Sequence, residues 1–248
     1  MCTITFWPRE SGYALAMNRD EMRARVRGIG PRVRRVAGRS VVFPSEPGGG
    51  SWFALNDTGA TLALVNWYAV TRRVTDCVVS RGDVVEAAKM AAGLGEAEAA
   101  LRQLPLGQMN PFRLVGVFPQ TEEVVEWRWD LKKLRRFKHR WRAQQWISSG
   151  YDEPGAQRAR HRVFQQLRKL GNAGSLDWLR ALHRSHLPER GPYSTCMHRP
   201  DAATVSYSEV VVQRSKSTLR HQEGAPCLNG RLVAKELRRR GPVRRSSA

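Results

Sequence analysis

Two short segments near the start of the chain are apolar at nearly every position, and each one stops at an asparagine. Residues 13–17 precede Asn18, and residues 62–65 precede Asn66. Strands that are apolar on both sides are typical of sheets whose two faces are both covered. The chain therefore needs further layers packed on its sheets.

Other stretches of the chain supply both the remaining strands and the covering helices. The predicted strands are 3–7, 12–18, 40–43, 52–56, 60–67, 113–118, 123–129, 131–142, 145–150, 194–197 and 203–212. The predicted helices are 84–104 with a break near Gly93, 154–170 and 175–186; Asp83 is the expected N-cap of the first, and residues 23–39 are an expected loop. This order predicts an α+β fold in which helices cover antiparallel sheets.

The overall composition is typical of a globular protein. The 248 residues are 41% hydrophobic and 26% charged, which indicates one domain, assigned to residues 1–230. Residues 231–248 are basic and are expected to form a loosely ordered tail. Neither a signal-peptide pattern nor a long apolar run is present, so no membrane span and a cytoplasmic location are expected.

The net charge of +20 raises the question of a nucleic-acid partner. Residues 131–142 contain seven basic residues and no acid, with Phe137 and Trp141 among them. This pattern is typical of a platform for single-stranded nucleic acid, and also of an amphipathic edge strand. We favour the edge strand and expect no specific nucleic-acid partner, because the arginines are spread along the whole chain. The oligomeric state is left open.

The four cysteines have no CxxC spacing and no histidine or cysteine cluster along the sequence. In a reducing compartment we therefore expect free thiols, no metal and no cofactor.

Cys2 has two interpretations. It could be a buried, apolar strand residue, as free cysteines often are. If Met1 is removed, Cys2 instead carries a thiol and a free α-amine, and the amine can accept the thiol proton. One residue would then supply both nucleophile and base.

Three segments resemble the NRDE family, whose eukaryotic member is transport and Golgi organisation protein 2. The chain opens Met-Cys and reaches Asn-Arg-Asp-Glu at residues 18–21. It then has Gly-Gly-Ser-Trp-Phe-Ala-Leu-Asn at 49–56, followed by Leu-Ala-Leu-Val-Asn-Trp at 62–67. Weaker similarity continues at residues 147–150 and 193–202.

The resemblance implies the four-layer αββα sandwich of the N-terminal-nucleophile (Ntn) hydrolases. The implied chemistry is that of choloylglycine hydrolases and penicillin acylases, which cleave C–N bonds of non-peptide amides. The implied catalytic residues are Cys2 as nucleophile, Asn18, Arg19 and Asp20 around it, and Asn66 as an oxyanion donor.

Four further residues are implied as substrate contacts: Trp67, Ser149, His198 and Arg199. The resemblance departs from the family pattern at Ser148-Ser149, where the relatives have an asparagine, and at residues 194–196, where many have Gly-Thr-Arg. The expected function is a cysteine amidohydrolase or acyltransferase on a small amide or acyl substrate. The alternative is a non-catalytic carrier that binds haem, an acyl lipid or acyl-CoA in the same cleft.

Overall fold

Two antiparallel sheets form the centre of the molecule in the computed structural model, which describes residues 2–76 and 78–240. In the six-stranded sheet the order is β10 (Gln144–Ser148), β1 (Cys2–Arg9), β2 (Gly12–Met22), β11 (Ala202–Val212), β12 (Lys216–Glu223) and β13 (Val233–Arg238). In the seven-stranded sheet the order is β3 (Ile29–Val36), β4 (Arg39–Ser45), β5 (Phe53–Asn56), β6 (Thr61–Asn66), β7 (Phe112–Phe118), β8 (Glu123–Trp129) and β9 (Leu134–His139).

Helices cover the outer faces of both sheets. They are α1 (Gly82–Ala88), α2 (Leu94–Arg102), α3 (Glu153–Leu167) and α4 (Leu176–Arg184), with short 3-10 helices at Leu106–Gln108 and Pro226–Leu228. The first two helices pack on the seven-stranded sheet and the last two on the six-stranded sheet. The predicted α+β, four-layer αββα sandwich is therefore confirmed.

The alternation of side chains along β2 explains why that strand is apolar throughout. Tyr13, Leu15 and Met17 point into the core between the sheets, whereas Ala14 and Ala16 pack against the helical layer. Successive residues of a strand point to opposite faces, so a strand between two covered faces needs apolar residues at both sets of positions. The small alanines let α4 lie close to the sheet.

Most predicted elements are present, and several details were wrong. The basic stretch does form an edge strand, β9. Residues 29–36, expected to be loop, form strand β3, and residues 194–197 form no strand. Asp83 lies within the first turn of α1 rather than at its N-cap, which is Arg81.

The chain beyond residue 230 also differs from expectation. Val233–Arg238 forms β13, which pairs with β12 at the edge of the six-stranded sheet. Backbone hydrogen bonds to β12 order this basic segment, and Leu237 is buried in the core between the sheets. The remainder of the expected tail, residues 241–248, lies outside the described residues. No helix among the described residues is long and apolar enough to cross a membrane.

Candidate active site

Cys2 begins β1 and lies between two neighbouring strands. It is opposite Arg19 of β2 on one side and Ser148 of β10 on the other. Its side chain belongs to the core between the sheets and is 7% exposed. In this register the residue that follows Arg19, Asp20, lies next to the start of β1. The end of β2 therefore lies beside the position of a Cys2 α-amine.

The tetrapeptide at residues 18–21 divides between the two faces of the sheet. Arg19 points with Cys2 into the space between the sheets, and Asn18 points to the helical layer. The Asn18 amide donates to the carbonyls of His183 (2.9 Å) and Thr195 (2.8 Å), and its Oδ1 lies 3.0 Å from His183 Nδ1. Asn18 thus ties β2 to the end of α4 and is completely buried. It does not face the sulfur.

Asp20 is held from the helical side. Its Oδ1 accepts a hydrogen bond from Thr204 Oγ1 at 2.6 Å, and its Oδ2 lies 3.4 Å from Arg160 Nη1. Arg160 is itself fully buried and donates to Thr3 Oγ1 at 2.7 Å. The arginine compensates the buried carboxylate and fixes its position next to the start of β1.

Arg19 is held by acidic and aromatic neighbours. It forms an ion pair with Glu46, lies 3.5 Å from Glu21, and stacks over the Trp52 ring at 4.2 Å from its centroid. Arg25 bridges the same two carboxylates at 3.0 and 2.8 Å. The two arginines and two glutamates therefore form one network along the wall of the site.

A cavity of about 200 Å³ opens beside Cys2. The predicted residues Arg19, Asp20 and Asn66 line it together with Cys2. Other lining residues come from the glycine-rich approach to β5, from the segment before α1 and from the loop before β7; they include Glu46, Ser51, Trp52, Ser80, Arg81 and Asn110. The structure thus brings four of the nine predicted site residues around one cavity.

The environment of the sulfur keeps it protonated. Burial raises the pKa of the Cys2 thiol, and the nearby Asp20 charge acts in the same direction. The charge of the N-terminal amine, a hydrogen bond from the Asp20 backbone and the charge of Arg19 lower this pKa, but burial outweighs them. Because a thiol, unlike a thiolate, is a poor nucleophile, reaction at neutral pH requires a base close to the sulfur.

Asn66 ends β6 at the edge of the cavity. Its Nδ2 donates to Tyr68 Oη at 2.9 Å, and its carbonyl accepts from Ser148 Oγ at 2.5 Å. Ser148 is completely buried and anchors β6 to β10. It therefore supports Asn66.

Trp67 and Ser149 do not line the Cys2 cavity. Trp67 lines a separate cavity with Arg113 and Arg128, on the far side of β10. Ser149 is buried, and its Oγ accepts from the Tyr151 backbone at 3.3 Å. None of these side chains lines the cavity beside the sulfur.

His198 and Arg199 line cavities next to the Cys2 cavity. His198 shares one with Arg19 and Arg25. Arg199 shares another with Asp20, and it forms an ion pair with Asp201 at 2.6 Å.

Comparison with solved structures gives the fold. A crystal structure of conjugated bile acid hydrolase from Clostridium perfringens, a cysteine-to-alanine mutant, aligns with a TM-score of 0.59 and 9% identity, covering 95% of this chain and 92% of that chain. An arginine-to-leucine variant of the same hydrolase aligns with a TM-score of 0.60 and 8% identity over the same shares. Penicillin V acylase from Agrobacterium tumefaciens aligns with a TM-score of 0.52 and 11% identity, covering 94% and 85%.

This chain has the Ntn-hydrolase fold. At these identities the likeness extends to the fold alone. No protein-family model matches the sequence, and no curated protein matches it either.

Several residues around the cavity were not found from the sequence. Glu46, Arg81 and Asn110 lie in loops far along the chain from Cys2, so no local motif marks them. The glycine run at 48–50 is the one feature of the sequence that is linked to these loops. Gly50 adopts φ 78° and packs directly on Gly82, where an added Cβ would lie 2.9 Å from the Gly50 Cα. This close approach brings the segment before α1 to the cavity.

The described cysteines are free thiols, as expected, but two of them lie in a cluster that the sequence does not show. Cys2, Cys196 and Cys227 are free thiols, and Cys77 lies outside the described residues. Although the sequence shows no cluster, the fold brings Cys196 and Cys227 together with two histidines. Cys196 and Cys227 are 31 positions apart in the chain, so sequence spacing could not reveal the cluster.

Proposed function

We propose that the protein is an Ntn hydrolase of the NRDE type, which uses Cys2 to cleave a small non-peptide amide or to transfer its acyl group. The observation that carries this proposal is the position of Cys2 at the start of β1, with Arg19 opposite it and Asp20 next in register. A nucleophile that must also supply its own α-amine needs the chain to begin in the site. The fold of the aligned hydrolases and the motifs at residues 18–21 and 49–67 support the proposal.

The proposed reaction begins with proton transfer within one residue. After Met1 is removed, the neutral α-amine of Cys2 takes the thiol proton, and the thiolate attacks the substrate carbonyl carbon. The tetrahedral intermediate collapses when the C–N bond breaks, and the α-ammonium returns the proton to the leaving amine. Water, deprotonated by the same amine, then hydrolyses the thioester to the carboxylic acid and restores the thiol.

The surrounding residues have distinct parts in this scheme. Asp20, fixed by Arg160 and Thr204, orients the α-amine. Asn66 supplies an amide N–H to the developing oxyanion, a contribution worth about 3 kcal/mol for a comparable donor. Because the Asn66 amide already donates to Tyr68, its second N–H is the one directed to substrate in this proposal.

The cavity favours a small substrate with an anionic group. Its volume of about 200 Å³ is below the range of about 300–1,000 Å³ typical of pockets for drug-sized ligands. Arg81 lines it, and no carboxylate among the described residues lies within ion-pair distance of this arginine. A haem or acyl-CoA ligand would need a larger enclosure, so the cavity offers no support for the carrier function.

The test compares two forms of the protein that differ only at the N-terminus. One form begins at Cys2, which is verified by intact mass; the other carries a short N-terminal extension that keeps the thiol but removes its α-amine. Each is treated with a small, activated acyl ester or amide probe, and the acylated peptide is located by mass spectrometry. We expect an acyl adduct on Cys2 and release of product only in the form that begins at Cys2.

Cys2→Ala in the same background is the control for labelling of other thiols. Equal acylation and turnover by the extended form would refute the role of the α-amine. Failure to acylate Cys2 in protein of verified N-terminus would refute the proposed enzyme function.

A further inference from the structure

Four metal-binding side chains from three separate segments converge on the helical side of the six-stranded sheet. His186 follows α4, Cys196 and His198 precede β11, and Cys227 lies in the 3-10 helix Pro226–Leu228. One potential ligand atom from each residue can be chosen so that all four lie within 4.8 Å of one another. Cys196 is buried and the other three side chains are partly buried. The fold therefore holds the group in place, and none of the four side chains is fully exposed.

The distances match those between ligands of one metal ion. His198 Nε2 lies 3.5 Å from Cys196 Sγ and 3.5 Å from Cys227 Sγ. Tetrahedral zinc with bonds of about 2.3 Å to sulfur and about 2.1 Å to nitrogen places the two atoms roughly 3.6 Å apart. Both nitrogen–sulfur distances are therefore close to the spacing that zinc requires.

His186 provides a second, independent observation. Its Nε2 is buried and has no hydrogen-bond partner among the described residues. Its ring lies 5.1 Å from that of His198, centroid to centroid. Because buried polar atoms are rarely left without a partner, an unpartnered imidazole nitrogen within a group of thiols indicates a missing ligand.

We propose that His186, Cys196, His198 and Cys227 form a mononuclear zinc site. Two thiolates and two imidazoles in a tetrahedral arrangement are a donor set that zinc prefers. In a two-iron centre with the same donors, the histidines bind one iron and the cysteines the other. Here one imidazole nitrogen is equally close to both sulfurs, which favours a single ion.

The site would be structural, because four protein ligands leave no open coordination position. It joins the end of α4, the segment before β11 and the 3-10 helix after β12. On binding, each of the two thiols releases its proton to solvent.

The same segment supports the candidate active site. The carbonyl of Thr195 accepts the Asn18 amide at 2.8 Å. The backbone N–H of Met197 donates to Thr204 Oγ1 at 2.9 Å, and that hydroxyl donates to Asp20. A metal that fixes residues 196–198 therefore also fixes the partners of Asn18 and Asp20. The proposal does not depend on the proposed reaction.

The test uses the full chain, purified under reducing conditions, stripped with a chelator and titrated with Co²⁺ and then Zn²⁺. We expect one equivalent of Co²⁺ to produce the intense visible bands of tetrahedral cobalt and a thiolate-to-cobalt charge-transfer band in the near ultraviolet. One equivalent of Zn²⁺ should bleach both. Metal analysis of protein from zinc-supplemented cells should give about one zinc per chain.

Matched variants locate the ion. Cys227→Ser and His186→Ala should each weaken Zn²⁺ binding at least 100-fold, whereas Cys2→Ser and His161→Ala, which change the same residue types elsewhere, should bind as the unmodified chain does. The cobalt spectrum of the unmodified chain decides the matter even if a variant does not fold. The absence of thiolate-to-cobalt bands in reduced protein, or unchanged binding in folded Cys227→Ser, would overturn the proposal, as would a Cys196–Cys227 disulfide that persists under reduction.

Discussion

Cys2 and Arg19 face each other as direct partners in the antiparallel register of β1 and β2, yet the charge of Arg19 is shared with Glu46. The ion pair and the stack on Trp52 hold the guanidinium along the wall of the cavity. An arginine that is neutralised in this way lowers the thiol pKa less than an isolated one would. The reactivity of Cys2 should therefore depend on a glutamate located 44 positions away in the chain.

Replacement of Glu46 should activate the thiol. In Glu46→Gln the Arg19 charge is less compensated, so the thiolate is stabilised and alkylation of Cys2 by iodoacetamide at pH 7 should be about threefold faster. Arg19→Gln should have the opposite effect. The rate is followed by mass spectrometry of the Cys2 peptide as a function of pH.

Glu98→Gln is the control, since Glu98 interacts with Arg136 on the opposite side of the seven-stranded sheet. An unchanged or slower reaction of Glu46→Gln would show that the ion pair does not regulate the sulfur.

A buried histidine should make the fold sensitive to acid. Burial, and secondarily the charge of Arg160, lower the pKa of His183 from 6.5 to about 3. Below pH 6.5 the unfolded chain binds a proton that the native chain does not, so stability falls as the pH drops from 6.5 towards 3. The expected loss between pH 6.5 and 5 is about 2 kcal/mol from this group alone.

Urea unfolding at several pH values measures this dependence. The slope between pH 6.5 and 5 should decrease in His183→Gln, even though this variant loses the contact of His183 Nε2 with Thr5 Oγ1 (3.0 Å). The slope should keep its full value in His161→Gln, because His161 is exposed. Equal slopes in the two variants would contradict the assignment.

Replacing only one partner of the Arg160–Asp20 ion pair should lower the free energy of unfolding strongly. Both side chains are almost fully buried, so Arg160→Met leaves an uncompensated carboxylate and should destabilise the protein by about 3–5 kcal/mol. Arg160→Met combined with Asp20→Asn should recover part of this loss, because the second change removes the buried charge. Chemical denaturation of the two single variants and the double variant gives the coupling energy.

A coupling energy near zero would show that the two groups do not compensate each other. Measurements of activity distinguish the structural role of Asp20 from its proposed role in orienting the Cys2 α-amine. The double variant should remain inactive even where stability is restored, since no carboxylate is left to orient the Cys2 α-amine.

The strands and their faces could be predicted because their signals are local. The apolar runs before Asn18 and Asn66 correctly indicated strands covered on both sides, and the family resemblance gave the correct layers. Strand β3 was missed because its eight residues include three arginines, a glycine and a proline, and as an edge strand it needs few apolar residues. The same holds for β13, whose order comes from pairing with β12.

The candidate site was predictable only near its motifs. Cys2, Arg19 and Asp20 come from the neighbouring strands β1 and β2, and Asn66 ends β6 of the other sheet. Each of the four lies in one of the motifs that carry the family resemblance. Trp67 directly follows β6, where one residue of register decides the face to which a side chain points, and it lines a separate cavity.

Arg81 should determine preference for anionic substrates. It lines the Cys2 cavity, and its one described side-chain hydrogen bond, to the Pro111 carbonyl, is long at 3.4 Å. Burial lowers its pKa, as expected for a cation that has lost water without gaining a carboxylate partner. A carboxylate on the substrate would compensate the Arg81 charge. This ion pair would stabilise the bound substrate and the transition state equally.

Arg81→Gln should therefore raise KM about tenfold for a substrate that carries a carboxylate, a change of about 1.4 kcal/mol, and leave kcat within twofold. A matched substrate with a carboxamide at the same position should show no change in KM. Arg102→Gln, on the exposed side of α2, is the control for net charge. If Arg81→Gln lowered kcat equally for both substrates, the arginine would act on the reacting centre or on the shape of the cavity, because loss of a charge contact to the substrate carboxylate cannot affect the neutral analogue.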